Sequence, residues 1–298
     1  MQNRKRFCRT DMAEECCGDL DLEKGVRGIR FREFQKEGIP ISHLEITDKE
    51  GEAILGKPVG RYVTLNVGKV WLLDDDAFER AAAVLAEELR EVVEHVTDRL
   101  DSVLVAGLGN RFITSDAVGP LTVKDLTVTR HIRELDPPLF ETLASLSLAA
   151  IAPGVIGQTG IETAELIRGT VDRTNPSVLL CIDALAARSV DRLAVTVQLS
   201  DNGIAPGSGI GNRRKAIDRE YLGIPVIAIG VPTVVDSSTM VFEMLEKAGI
   251  TNISPSLEKE LENGRSFFVT IKDADTASTE MARLIARAIG LAFSVNRE

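Results

Sequence analysis

The chain has 298 residues, with 35 Lys and Arg against 45 Asp and Glu, giving a formal net charge of −10. A composition of 44% apolar and 27% charged residues is that of a globular protein with volume for one large or two modest domains. The acidity argues against a general phosphate-binding surface, and no apolar run reaches the roughly 20 residues that a membrane span needs.

The opening Met1-Gln-Asn-Arg-Lys-Arg6 is basic, but no apolar stretch follows it, so no secretory signal is expected. Residues 1–40 are charged and weakly periodic, which predicts an exposed arm or loose subdomain, with regular structure from about residue 40. Tyr62–Val67 alternates like a half-buried strand, and Asp76 to Val96 repeats apolar residues at helical spacing. Ser102–Leu108, Leu146–Ile151, Ser177–Ile182 and Ile224–Ile229 read as buried strands, and Leu193–Leu199 as an alternating one. Helices are expected over Thr163–Asp172, Ser237–Ala248 and Thr276–Leu291, and an edge strand over Phe267–Ile271. Buried strands alternating with helices indicate an α/β fold with a largely parallel sheet, whose ligands sit outside the carboxyl ends of strands.

Histidine and cysteine offer little chemistry. His43, His95 and His131 lie far apart and make no HExxH or HxxxH, so a histidine-built zinc site has little support, although a serine-histidine arrangement is not excluded. Cys8, Cys16, Cys17 and Cys181 form no CxxC pair, which points to a reducing cytoplasm and not to a disulfide framework. Neither a metal nor a cofactor is expected.

Gly, Pro and polar residues cluster after four of the strands, over 107–120, 152–163, 182–188 and 200–212. Gly107-x-Gly109 fails as a dinucleotide fingerprint because Phe112 holds the third glycine position. Gly207-Ser-Gly-Ile-Gly-Asn212 lacks the GK[ST] of a P-loop, and Ser200-Asp-Asn202 matches only one β-lactamase element. Asp183 ends an apolar run, and Asp116 lies in the loop after another. If those strands are neighbours, the two carboxyls face one crevice, where one keeps a proton and the pair can activate water. Spacing alone leaves the alternative open that Asp116 caps a helix and Asp183 a turn.

These segments resemble the germination proteases of spore-forming bacteria. The pieces that carry the likeness are Gly107–Asn110, Thr114–Pro120, Val128–His131, Ala152–Gly154, Thr159–Thr163, Ile182–Ser189, Pro206–Gly209, Gly211-Asn212 and Ile224–Asp236, nine in the family's order. The resemblance implies an aspartic-type endopeptidase with Asp116 and Asp183 as the catalytic pair. It also implies a twisted α/β sheet flanked by helices, related to the hydrogenase-maturation peptidases, and a homotetramer in the forespore and spore core. The implied substrates are small acid-soluble spore proteins, with no direct contact to nucleic acid or membrane.

A zymogen is implied as well. Arg9-Thr-Asp-Met-Ala-Glu-Glu15 resembles the cleavage sites of the family, a Thr-Glu/Asp-apolar-Ala pattern cut after the acidic residue, which places the cut between Asp11 and Met12. Residues 1–11 are then a propeptide and 12–298 a single peptidase domain, with a looser part over 12–100, a motif-bearing core over 101–236 and a short C-terminal region over 237–298. Glu162 is a weaker site candidate that helix capping also explains, and Arg188 either orients a carboxylate or stabilises a helix end. Ser115 stands where the family usually has Pro, and Ala205 where it usually has His. Two rivals are kept: a metallopeptidase resembling the hydrogenase-maturation enzymes with the aspartates as ligands, and a non-catalytic binding protein.

Overall fold

The apolar runs owe their structure to burial on two faces. In the computed structural model, which describes residues 9–18, 20, 25–143, 146–206, 215–250, 252–263 and 267–293, Val103 and Val105 turn to one face of a sheet while Leu104 and Ala106 turn to the other. Val178, Leu180 and Ile182 alternate in the same way with Leu179 and Cys181. A strand with period-2 side chains and helices on both sides must be apolar throughout.

The strands are β1 (Ile29–Lys36), β2 (Ile39–Ile46), β3 (Gly60–Asn66), β4 (Ser102–Gly107), β5 (Ser147–Ile151), β6 (Val178–Ala187), β7 (Thr196–Ser200), β8 (Val226–Asp236) and β9 (Phe268–Val269). Among the described residues they form one sheet in the order β1-β2-β3-β7-β8-β6-β4-β5, with β9 on β8. β5, β4, β6 and β8 are mutually parallel, as expected of the centre. From β8 outward, β7, β3, β2 and β1 add antiparallel.

The helices are α1 (Lys49–Leu55), α2 (Asp75–Val96), α3 (Val118–Asp125), α4 (Arg130–Leu135), α5 (Pro137–Leu143), α6 (Ile156–Thr159), α7 (Thr163–Thr174), α8 (Arg219–Leu222), α9 (Ser237–Lys247), α10 (Pro255–Asn263) and α11 (Ala274–Phe293). α2 starts where the Asp74 carboxylate accepts the Ala77 N–H at 2.8 Å. Its stripe of Ala82, Leu85, Leu89 and Val92 packs with Met281, Leu284, Ile285 and Ala288 of α11 over one face of the sheet. On the opposite face Ala164, Ile167 and Val171 of α7 cover Leu104, Leu179 and Cys181. The expected helices and strands over the motif-bearing part are thus all present, but β6 runs on to Ala187 and β8 to Asp236, well past the expected ends at Ile182 and Ile229.

Two sequence expectations are corrected. Regular structure begins at Ile29, because β1 and β2 pair as a hairpin over Ile29–Lys36 and Ile39–Ile46. β1 is an edge strand carrying Arg30, Arg32, Glu33 and Lys36, and such charges keep an edge from pairing with another chain. Nor are residues 9–18 an exposed arm. Met12 and Ala13 have 0% exposure, and the segment is packed against β6 and β7. Residues 1–8 lie outside the described residues.

Candidate active site

Asp183 does not end its strand. β6 runs on through Ala187, and Asp183 is its sixth residue, in register with Gly230 of β8 and only 6% exposed. One carboxylate oxygen, Oδ1, accepts the Ala184 N–H at 3.0 Å. A turn-capping role is therefore replaced by a carboxyl fixed within the sheet. Cys181 lies two residues earlier on the same side of the strand. Burial first, and then the negative Asp183, push its thiol above the ordinary range, so it stays protonated and unreactive.

Asp116 reaches the same place from β4. The Leu108 N–H donates to Ile182 O at 2.8 Å, which extends the β4–β6 pairing up to the start of the loop. The loop then turns back on itself. Asp116 ends a single 3-10 turn over Thr114–Asp116, and its Oδ2 accepts the Asn110 N–H at 2.9 Å. Gly109 permits this return, because it sits at φ +104° and a Cβ there would lie 2.2 Å from Asp116 O and 2.8 Å from Asp116 Oδ1. The Thr233 hydroxyl of β8 donates to Ser115 O at 2.6 Å and ties the loop to the sheet. α3 starts after Ala117 without a side-chain cap, so Asp116 holds its own loop and does not cap that helix.

Asp116 and Asp183 line one cleft of about 570 Å³ at the carboxyl ends of the parallel strands, together with Ser115, Leu185, Gln198 and Lys57. Two carboxyls brought close in one cleft are an arrangement in which a shared proton can leave one base and one acid.

Asp11 lines the cleft too. Its N–H donates to Ala186 O at 2.8 Å, and its Oδ2 accepts the Ala186 N–H at 2.9 Å, so one backbone and one side-chain bond dock Asp11 on the edge of β6. Met12 drops into an apolar cluster with Leu185, Ala187, Leu193 and Val235. Ala13 is fully buried among Cys17, Leu44, Leu55 and Tyr62, and its N–H donates to Gln198 Oε1 at 2.7 Å. The Glu15 carboxylate accepts the N–H groups of Arg188 at 2.7 Å and Ser189 at 3.0 Å.

A family model described as germination protease matches residues 9–248. The chain belongs to that family. It is 42% identical to the germination protease of Caldanaerobacter subterraneus subsp. tengcongensis, over 96% of this chain and 94% of that protein. The Clostridium perfringens germination protease (strain ATCC 13124) is 38% identical over 97% of this chain and 95% of its own length. That of Bacillus pumilus is 44% identical over 80% of this chain and 66% of its own length. Among solved structures, the NiFe hydrogenase maturation protease HycI from Thermococcus kodakarensis KOD1 aligns at a TM-score of 0.33 and 16% identity, covering 66% of this chain and 98% of that one. As a member of the germination protease family the chain is a peptidase, a protease of spore germination whose substrates are proteins. Among the described residues no helix is long and apolar enough to cross a membrane.

Of the other residues singled out in this germination protease chain, Ser115 and Ala205 line the cleft, and Glu162 and Arg188 do not. Glu162 occupies the position before α7, but its side chain makes no capping bond. Arg188 turns away from the aspartates and pairs with Glu246 of α9 at 2.6 Å. Arg188→Ala is expected to cost about 2 kcal/mol of stability, read as a lower denaturant midpoint, with peptide cleavage per folded molecule held within about twofold. No three His, Cys, Asp or Glu among the described residues are grouped as a metal site requires, so the metallopeptidase alternative gains no support from the donor set. Residues 207–212 of the fourth polar cluster, including Gly207–Gly209 and Gly211-Asn212, lie outside the described residues. Asn110 and Thr233 fell inside the resemblance segments without a role of their own, and Lys57 and Gln198 were not singled out, since each is a common residue in a position that only the folded sheet defines.

Proposed function

We propose that this protease is a self-processing aspartic-type endopeptidase. It cuts its own chain between Asp11 and Met12, and then cuts small acid-soluble spore proteins after the acidic residue of Thr-Glu/Asp-apolar-Ala sites. The observation that carries this reading is the seating of Asp11 in the cleft lined by Asp116 and Asp183. The ionised aspartate takes a proton from water, and the oxygen attacks the Asp11 carbonyl carbon. The protonated aspartate gives its proton to the Met12 nitrogen as the C–N bond breaks. The products are an Asp11 carboxyl group and a Met12 amine. On the same reading, residues 1–11 are a propeptide, and the enzyme works as a homotetramer in the spore core.

The test is intact-mass analysis of the full chain at mildly acid pH, with and without chelator, alongside a Thr-Glu-Phe-Ala-Ser-Glu peptide. Loss of residues 1–11 and cutting after the peptide's Glu, both insensitive to chelator, are expected. Absence of either cut under every condition would overturn the proposal. Activity lost to chelator and restored by a transition metal would put the aspartates in the role of ligands instead.

A further inference from the structure

Lys57 follows Gly56, which closes α1 in the left-handed conformation at φ 70°, and it points into the cleft. Among the described residues it is in no ion pair. Both of its hydrogen bonds go to carbonyl oxygens of the N-terminal segment, Thr10 O at 3.0 Å and Asp11 O at 3.0 Å. Gln198, 7% exposed on β7, spans the next peptide bond: its Oε1 takes the Ala13 N–H at 2.7 Å and its Nε2 lies 3.5 Å from Asp11 O. The Asp11 carbonyl is thus approached by an ammonium and an amide N–H in a cleft that also holds the carboxyls of Asp116, Asp183 and Asp218.

We infer that Lys57, assisted by Gln198, holds the carbonyl oxygen of the bond to be cut and stabilises the negative charge that forms on it. The inference rests on the proposed cut between Asp11 and Met12 and deepens it. An ammonium facing a neutral carbonyl gains little over its hydration in water. Its interaction strengthens once water adds to the carbon and the oxygen becomes an alkoxide, and only such a differential contact raises the chemical rate. The second bond, to Thr10 O, keeps the ammonium in place before that charge appears. In the proposed sequence the aspartates exchange protons with the water and with the Met12 nitrogen, and neither is assigned to the carbonyl oxygen. That oxygen faces Lys57, the cation that lines the cleft among the described residues. In trans, a substrate seated as residues 10–15 are seated presents the carbonyl of its acidic residue to the same group.

A purely structural Lys57 would instead only keep the segment docked. Three measurements on the full chain separate the two roles: the rate at which chains beginning at Met12 appear, kcat and KM on the Thr-Glu-Phe-Ala-Ser-Glu peptide, and hydrogen exchange at the Met12 and Ala13 amides before cutting. For Lys57→Met we expect both cleavage rates to fall about 100-fold, the usual loss for one oxyanion donor, with KM within about threefold and amide protection unchanged. Lys57→Arg, which keeps a cation in reach, should recover most of the rate. A Lys57→Met chain that cuts as fast as the wild type overturns the inference, as does a loss of rate that accompanies loss of Met12 and Ala13 protection. The wild type and Asp183→Asn are run beside them. An uncut wild type, or an Asp183→Asn chain cut equally well, sinks the parent proposal and this inference together, whereas a failure confined to the Lys57 arms leaves the parent standing.

Discussion

Asp183→Asn is expected to slow the appearance of chains beginning at Met12 by about 10³-fold or more, and peptide cleavage by the same factor. Asparagine preserves the shape of the side chain and can still accept the Ala184 N–H, so β6 keeps its register with Gly230. What disappears is a group that can carry or release a proton. Stability should hold, because the side chain's shape and its bond to the Ala184 N–H are kept. Asp116→Asn should behave in the same way, with its carbonyl still accepting from Asn110 N–H. The double variant is the sharper measurement. Two groups that act on one water do so as a unit, and removing both should cost hardly more than removing either. Losses that multiply would mean that the aspartates serve separate steps, and an active single variant would remove that residue from the reaction. Differential scanning fluorimetry and intact mass on the same samples separate lost chemistry from lost fold.

The second large effect is on folding and reverses a general rule. Alanine normally stabilises a helix relative to glycine by roughly 0.5–1 kcal/mol. Gly169, in α7 with open space around it, should follow the rule when changed to alanine. Gly119, in the first turn of α3, should do the opposite. A Cβ there would lie 2.3 Å from Leu108 O and 2.6 Å from both Leu108 N and Ile182 O, all backbone atoms of the β4–β6 edge. Gly107 meets the same crossing from the other side, with its own Cβ position 2.1 Å from Gly119 O. No side chain can rotate away from such a contact, so helix and strands must separate. We expect Gly119→Ala to cost about 3 kcal/mol or more, and the Tm to fall by roughly 6–12 °C. Because α3 directly follows Asp116, activity at permissive temperature should fall as well. Equal Tm values for the two alanine variants would show that α3 does not cross the sheet this closely.

Both expectations turn on residues that differ in how far the chain itself reveals them. The buried strands around 102–108, 177–182 and 224–229 could be read because burial on two faces demands unbroken apolar runs. Asp183 could be picked out because it closes such a run, where a carboxylate faces the crevice at the carboxyl ends of the strands. The continuation of β6 could not. Ala184–Ala187 is short and bland, and it becomes strand only because β8 follows it through a register shift between Leu185 and Ala186. β1 escaped notice for a different reason: as a solvent-washed edge with cross-strand pairs such as Arg30 to Glu45, it has charge where a strand usually shows its apolar face. The docking of Met12 and Ala13 depends on partners more than 170 residues away, including Ala186, Arg188 and Gln198. No local pattern encodes such a contact, and the charged flanks of the segment suggest the reverse.

The complete enclosure of Met12 bears on what happens after a cut. Hydrolysis before Met12 would turn a neutral amide into a primary amine, which is largely protonated near neutral pH, its ordinary pKa being about 8. That ammonium would be created at the root of a side chain enclosed by Leu185, Ala187, Leu193 and Val235, where bare charge is strongly disfavoured. The new N-terminus at Met12 would gain by leaving for water, and Asp11, now the end of a separate fragment, would be tied to β6 only by its own bonds to Ala186. A single hydrolysis would in this way work as its own ejector. The trough that held the first substrate would be cleared by the product's charge, and religation would be opposed by the same desolvation that drove the exit.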